Sequence, residues 1–201
     1  MSPKVNLMPT TNLYPLIERI GNLLRTEIRK TGNNLGLQPV HMQALDYLSQ
    51  CNRYSDTSAA VTDYLGATKG TVSQSLKVLE RKRYITRVTD AKDRRVQHLK
   101  VTESGHDVLA TSLPPETFCE ASDQLSEFDR NQMVGLLTQM LRELQIANQS
   151  KSFGICKSCS FFCSDGAQYQ CGLTKEMLST DDSEKLCREH SVNAVVKQVE
   201  V

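Results

Sequence analysis

The sequence predicts a mainly α protein with one small β-hairpin (α+β class) and a short C-terminal segment stapled by metal. Three observations carry this expectation. Apolar residues recur at three- and four-residue steps through most of residues 13–148, interrupted by turn signals. Two short runs with strand character, 84–89 and 96–102, flank a charged tip. Five of the seven cysteines lie from Cys156 onward.

Leu13, Leu16, Ile17, Ile20, Leu23, Leu24 and Ile28 line one face of a first helix over 13–31. Asn33, Gly36 and Pro39 end it and open a second over 39–51, with Val40, Ala44, Leu45 and Leu48 inward. A polar stretch over 52–56 leads to a short third helix over 57–65. Gly66 breaks the chain, and Thr68 can cap a fourth helix over 69–82 by accepting from its free N–H groups. That helix turns Val72, Leu76 and Leu79 inward and leaves Lys69, Gly70, Thr71, Ser73, Gln74 and Lys77 for solvent. The hairpin tip over 90–95 is too charged to bury. A fifth helix starts near Glu103, and Pro114 and Pro115 interrupt it because proline lacks the N–H an inner turn needs.

The last helix, 128–148, carries Met133, Leu136, Leu137, Met140, Leu141, Leu144 and Ile146, a stripe wider than one partner helix needs. It reads as a subunit interface built with the first helix, with core packing as the alternative. The polar run after Ala147 marks a boundary between residues 1–150, a helical domain with the hairpin, and 151–201, a cysteine-rich module.

Helix, helix, short helix, turn, helix, hairpin, helix, helix is the order of a winged helix-turn-helix with helical dimerisation arms. Over about residues 10–147 the chain resembles the MarR family of bacterial transcription regulators. The resemblance is carried by DTSAAVTDYLGATKGTVSQSL (56–76) and by the wing DAKDRRVQHLKVTESG (90–105). It implies a sequence-specific DNA-binding regulator, a repressor acting as a homodimer on an inverted-repeat operator. It also implies that Arg95 enters the minor groove with Asp93 holding its guanidinium, and that the signal is a small phenolic or similar effector between the winged domain and the dimer helices; the alternative is the metal or redox state of the cysteine tail, which is then a sensor instead of a structural staple. One departure is Arg83, where the family usually has glycine; a left-handed residue there costs roughly 1 kcal/mol or more, so a rearranged turn is expected.

The net charge of +1 conceals an asymmetry. Residues 68–100 hold ten bases against three acids, a local charge of +7, so the rest of the chain carries −6. A basic helix and hairpin on an acidic body is a footprint for phosphate. The DNA-contacting candidates are Lys69, Gly70, Thr71, Ser73, Gln74 and Lys77 on the fourth helix, and Lys92, Asp93, Arg94 and Arg95 on the wing. Gln74 has the amide that pairs with adenine, and Lys69 can reach guanine or a phosphate.

The tail reads Cys156-x2-Cys159-x3-Cys163-x7-Cys171-x15-Cys187-x2-His190. A pair two residues apart closes a turn around one ion, and two distant thiolates complete a tetrahedron. Cys156, Cys159, Cys171 and Cys187 are the expected ligands, with Cys163 and His190 as alternates. Phe153, Ile155, Phe161, Phe162, Tyr169, Leu173, Leu178 and Leu186 are too few to give this segment its own core, so metal is its staple. Structural zinc is the first expectation, an iron–sulfur cluster the alternative, and a thiol or disulfide switch the third. Cys51 and Cys119 read as structural thiols.

His41, His98 and His106 are isolated and read as surface or hydrogen-bonded residues. No Ser/His/Asp order, phosphate-cradling glycine loop or His-Glu-x-x-His pattern is present, so no enzyme is expected; a thiol or zinc enzyme would have to rest on the tail. An interaction adaptor is the other alternative, and the basic wing argues against it. With 39% hydrophobic residues, no apolar run of membrane-spanning length and no secretory core at the N-terminus, a cytoplasmic globular protein is expected.

Overall fold

The computed structural model describes residues 12–166 and 168–191. Residues 1–11, read above for a secretory signal, lie outside the described residues, as do 167 and 192–201. Four helices come first: α1 (Leu13–Asn34), α2 (Pro39–Gln50), α3 (Ser58–Leu65) and α4 (Lys69–Arg81). The hairpin β1 (Ile85–Thr89) and β2 (Gln97–Val101) follows, then α5 (Glu103–Ser112), α6 (Glu116–Asp123) and α7 (Glu127–Ala147). α1 continues three residues past its expected end, because the left-handed residue that turns the chain is Gly36, not Asn33.

The core lies where α2, α3 and α4 meet the hairpin and α5. Leu45, Ala60, Val61, Val72, Leu76, Leu79, Ile85 and Leu99 are fully buried there. Burying one such aliphatic side chain contributes about 1.5–3 kcal/mol, so these residues, not the polar face of α4, hold the motif together. Gly66 takes the left-handed conformation that lets α3 turn into α4. Gly105, the last residue of the wing pattern, packs so closely on the Tyr84 carbonyl that a Cβ would sit 2.3 Å from its oxygen.

The rearrangement expected at Arg83 does not occur. Arg83 itself adopts the left-handed conformation, at φ 63°. Its carbonyl accepts from the hydroxyls of Thr102 (2.7 Å) and Ser104 (3.1 Å), which offset the strain of a non-glycine residue there. Thr102 also caps α5, accepting from the Gly105 N–H.

No residue of α7 is buried, and its stripe is open, with Leu136 65% exposed. Leu13, Leu16, Ile20 and Leu23 of α1 are exposed as well. Within one chain the core-packing alternative for this stripe therefore fails. Among the described residues no helix is long and apolar enough to cross a membrane.

The tail folds as short antiparallel pieces. β3 (Gly154–Ile155) pairs with β7 (Leu186–Cys187), while β4 (Phe162–Ser164), β5 (Tyr169–Cys171) and β6 (Met177–Leu178) form a second sheet; α8 (Thr180–Ser183) lies between β6 and β7. Two of its apolar residues leave the tail for the winged core. Phe153 is 8% exposed and meets the rings of Tyr64 (5.1 Å) and Tyr47 (5.8 Å) edge-on, and Leu186 packs on the same cluster.

Candidate nucleic-acid interface and thiol cluster

Thr68 accepts the Thr71 N–H at 3.2 Å and so starts α4. The apolar residues Val72, Leu76 and Leu79 face the core, which leaves Lys69, Gly70, Thr71, Ser73, Gln74 and Lys77 exposed along the other side. The Thr71 hydroxyl is already bonded to that of Thr68 at 2.9 Å. Ser75, by contrast, is buried and donates to the Thr71 carbonyl.

At the wing, Asp90 accepts the backbone N–H groups of Lys92 (2.7 Å) and Asp93 (2.6 Å), which folds the tip. Asp93 holds Arg95 in a fork: Nε to Oδ1 at 3.0 Å and Nη2 to Oδ2 at 2.8 Å. The Arg95 side chain is 90% exposed, so its charge is oriented yet available. Arg94 and Lys92 are exposed beside it.

Behind the tip runs a chain that the sequence reading missed. Asp56, 3% exposed, accepts from His98 Nδ1 (2.5 Å) through Oδ1 and from Lys100 Nζ (2.6 Å) through Oδ2. His98 Nε2 meets Asp90 Oδ2 at 3.1 Å. The bond to Asp56 raises the His98 pKa above its ordinary value against the opposing effect of burial, and Asp90 adds to the rise. The backbone N–H of Asp93, the His98 ring and the Lys92 N–H lower the Asp90 carboxyl to about 2. His98 thus ties the wing to the start of α3. His41 instead serves α2, accepting the Gln38 N–H at 3.0 Å.

In the tail, four thiols line one small cavity: Cys156, Cys159, Cys171 and Cys187, together with Tyr54, Phe161, Phe162 and Leu173. The turn after β3 brings the first pair together, with the Cys159 N–H donating to the Cys156 carbonyl at 3.0 Å. Cys187 faces Gly154 across β3–β7, and Cys171 faces Phe162 across β4–β5. Burial pushes the Cys156 thiol up to about 12, and the nearby Cys187, Cys171 and Cys159 add to this. Burial also pushes Cys171 upward, but the Thr174 N–H, the Thr174 side chain and the Leu173 N–H together outweigh it and lower its pKa. Cys159 Sγ accepts the Ser191 N–H at 3.3 Å. Among the described residues no group of three or more His, Cys, Asp or Glu side chains is arranged to hold a metal ion. The four thiols share a cavity wall; they do not form a coordination polyhedron.

Neither alternate ligand joins them. Cys163 is exposed on β4, with Sγ 3.8 Å from the Phe161 carbonyl. Both ring nitrogens of His190 are engaged by hydroxyls, Nδ1 with Ser152 (2.9 Å) and Nε2 with Ser158 (3.0 Å). Cys51 is buried in the core and Cys119 exposed on α6.

The tail also grips the winged helix through polar contacts. The Asn52 N–H donates to the Leu186 carbonyl (2.8 Å), the Arg188 N–H to Ser55 Oγ (2.8 Å), and the Arg188 guanidinium to Asp63. Arg53 donates to the Met177 carbonyl (2.8 Å), and Glu176 takes both the Tyr54 hydroxyl (2.6 Å) and Lys92 Nζ (2.9 Å). A larger groove of about 960 Å³ opens between α1, the α2–α3 face and α7, with Leu24, Tyr64, Phe118 and Leu144 in its lining.

Comparison with known proteins agrees with this geometry. The MarR family model matches residues 35–96, from the end of α1 through the wing tip. A Staphylococcus aureus MepR point mutant bound to an oligodeoxyribonucleotide is 30% identical; the match covers 67% of this chain and 99% of that one, with a TM-score of 0.46. The match to the MarR family is thus confined to residues 35–96 of this chain. S. aureus MepR in its DNA-binding conformation resembles this chain at 29% identity, covering 67% of it and 99% of MepR, with a TM-score of 0.57. The Escherichia coli K12 transcriptional repressor MprA is 24% identical over 140 residues, 67% of this chain and 80% of MprA. Over about two thirds of its length the chain is thus similar to DNA-binding transcription regulators.

Proposed function

We propose that the protein is a homodimeric repressor that occupies an inverted-repeat operator, with α4 in the major groove and the wing tip in the minor groove. The observation that carries this is α4 itself. Its aliphatic residues Val72, Leu76 and Leu79 are committed to the core, while its Lys, Gln, Ser and Thr side chains stand exposed ahead of a wing that presents an oriented Arg95. S. aureus MepR in its DNA-binding conformation and the repressor MprA support the same reading. The open apolar faces of α1 and α7 supply the dimer contact, since two recognition helices on a two-fold axis meet successive major grooves. The groove beneath those helices suits a small, largely apolar effector.

We also propose that Cys156, Cys159, Cys171 and Cys187 hold a metal centre, zinc first and an iron–sulfur cluster as the alternative. The donor chemistry supports this reading: four thiols face one cavity, and N–H groups point at the sulfurs of Cys171 and Cys159, although the four sulfurs would have to draw together into a tetrahedron and Cys156 would have to give up its proton on binding. When bound, the metal would supply charge to hold the thiolates and a covalent staple for a segment with little core of its own. Colour in an anaerobic preparation separates a cluster from zinc.

Selection of duplexes from a random pool, followed by sedimentation of the complex, tests the regulator. The expected result is an inverted repeat carrying two chains. One chain on one half-site overturns the dimer, and binding that does not weaken with salt overturns the DNA reading in favour of an adaptor.

A further inference from the structure

The His98 ring stands between two carboxylates, with Nδ1 2.5 Å from Asp56 Oδ1 and Nε2 3.1 Å from Asp90 Oδ2. Asp56 lies buried in the loop before α3, and Asp90 opens the wing tip. A neutral imidazole carries one N–H, so it can donate to one of these partners and not to both. Neither carboxylate is placed to supply the missing proton: Asp56 also takes the Lys100 ammonium at 2.6 Å, and Asp90 is held at about 2. Only the imidazolium bridges loop and tip. When the proton leaves, the buried Asp56 keeps the remaining N–H at Nδ1, and the Nε2 lone pair then faces the Asp90 carboxylate, turning attraction into repulsion at the tip.

The tip is built on that same carboxylate. Asp90 Oδ1 accepts the N–H groups of Lys92 and Asp93, and Asp93 in turn forks the Arg95 guanidinium. Backbone bonds from Asp90 to the Val96 carbonyl (3.0 Å) and from Val96 to the Asp93 carbonyl (2.9 Å) close the tip into one unit. His98 ties this unit to the loop that leads through α3 and Gly66 into α4. The base of β2 does not depend on the ring, because the Leu99 N–H donates to the Asp56 carbonyl at 2.7 Å. Loss of the proton therefore acts on the tip and leaves the core in place.

We propose that His98 is a positioning residue of the DNA-binding wing: its imidazolium clamps Asp90 and so holds the tip that presents Arg95, and loss of the proton loosens the tip and weakens DNA binding. The proposal rests on the minor-groove role given to the wing above. The charged groups that face the ring are Asp56 from the loop before α3, Asp90 from the tip and Lys100 from β2 itself; across the hairpin β1 sets Val88 opposite His98. The two acids favour the imidazolium and Lys100 opposes it. The Lys92 ammonium is drawn away from the ring to Glu176.

The test uses full-length protein and a duplex selected from a random pool, with affinity measured by anisotropy across pH at matched ionic strength. Wild type, His98→Gln, Asp90→Asn, Arg95→Ala and the double variant H98Q/R95A are compared, each with a melting curve at every pH. Wild type is expected to bind about three- to tenfold more weakly at about pH 8.5 than at about pH 6, within the roughly tenfold per pH unit that one proton per wing allows. H98Q should bind at about pH 6 as weakly as wild type does at about pH 8.5, with a flat profile. D90N keeps an acceptor for the tip N–H groups but removes the charge that Nε2 meets, so its profile should flatten too, and it carries the test if H98Q does not fold. In the R95A background the H98Q substitution should add nothing, because the group that His98 positions is gone. Parallel pH profiles for wild type, H98Q and D90N overturn the role of His98, even if R95A binds weakly. An H98Q loss that persists undiminished in R95A overturns positioning of Arg95. Equal affinity for wild type and R95A instead brings down the reading of the wing on which the proposal rests.

Discussion

Replacing Arg95 with alanine isolates the wing from the rest of the molecule. The side chain is 90% exposed and is held by Asp93, a residue of the same tip, so its removal leaves the core untouched. Stability should change by no more than about 0.5 kcal/mol, as for other surface substitutions. DNA binding should change far more. A well-placed arginine at a base edge is worth about 1–3 kcal/mol, and a dimer applies two of them. The substitution also leaves the Asp93 carboxylate without its partner next to phosphate. Even the lower bound at each wing predicts a loss of at least tenfold, since a factor of ten needs about 1.4 kcal/mol. The assay is anisotropy on a selected operator at matched salt, with a melting curve on the same preparation. Equal affinity for wild type and R95A would remove the wing from the mechanism. A large fall in melting temperature would refute the claim that Arg95 is structurally idle.

Two further outcomes follow, one from the contacts behind the wing and one from the docking of the tail on α2 and α3. The folded His98 pKa is raised by Asp56, so its stabilisation is complete below the ordinary value of 6.5 and fades as pH rises through the higher folded value. The difference in melting temperature between wild type and His98→Gln should therefore shrink from pH 6 to about pH 8, and an NMR titration placing His98 at or below 6.5 would contradict this. Phe153→Ala should cost about 3 kcal/mol in urea denaturation, because a buried ring packed edge-on against the stacked Tyr47 and Tyr64 is lost. A cost under about 1 kcal/mol would mean that the tail docks without joining the core.

The helices and hairpin were legible because each obeys a local rule. Val72, Leu76 and Leu79 repeat at the helical period, Thr68 is a capping residue, and the charged tip over 90–95 has no buried alternative. The turn at Arg83 was misjudged because its strain is local while its compensation is not: the hydroxyls of Thr102 and Ser104 come from the far side of the hairpin. His98 looked isolated for the same reason, since Asp56 lies 42 residues away in the chain. Phe153 stood in the tail by composition, yet its burial is supplied by Tyr47 and Tyr64.

By itself the sequence determined the order of elements, the basic face and the cysteine spacing, because helical period, charge and ligand spacing are properties of short stretches. Tertiary structure decided which groups meet: four thiols around one cavity, His190 withdrawn from them by two serines, and Glu176 of the tail on Lys92 of the wing. Those pairings join residues tens of positions apart, and they form only once burial of a common core has brought the segments together.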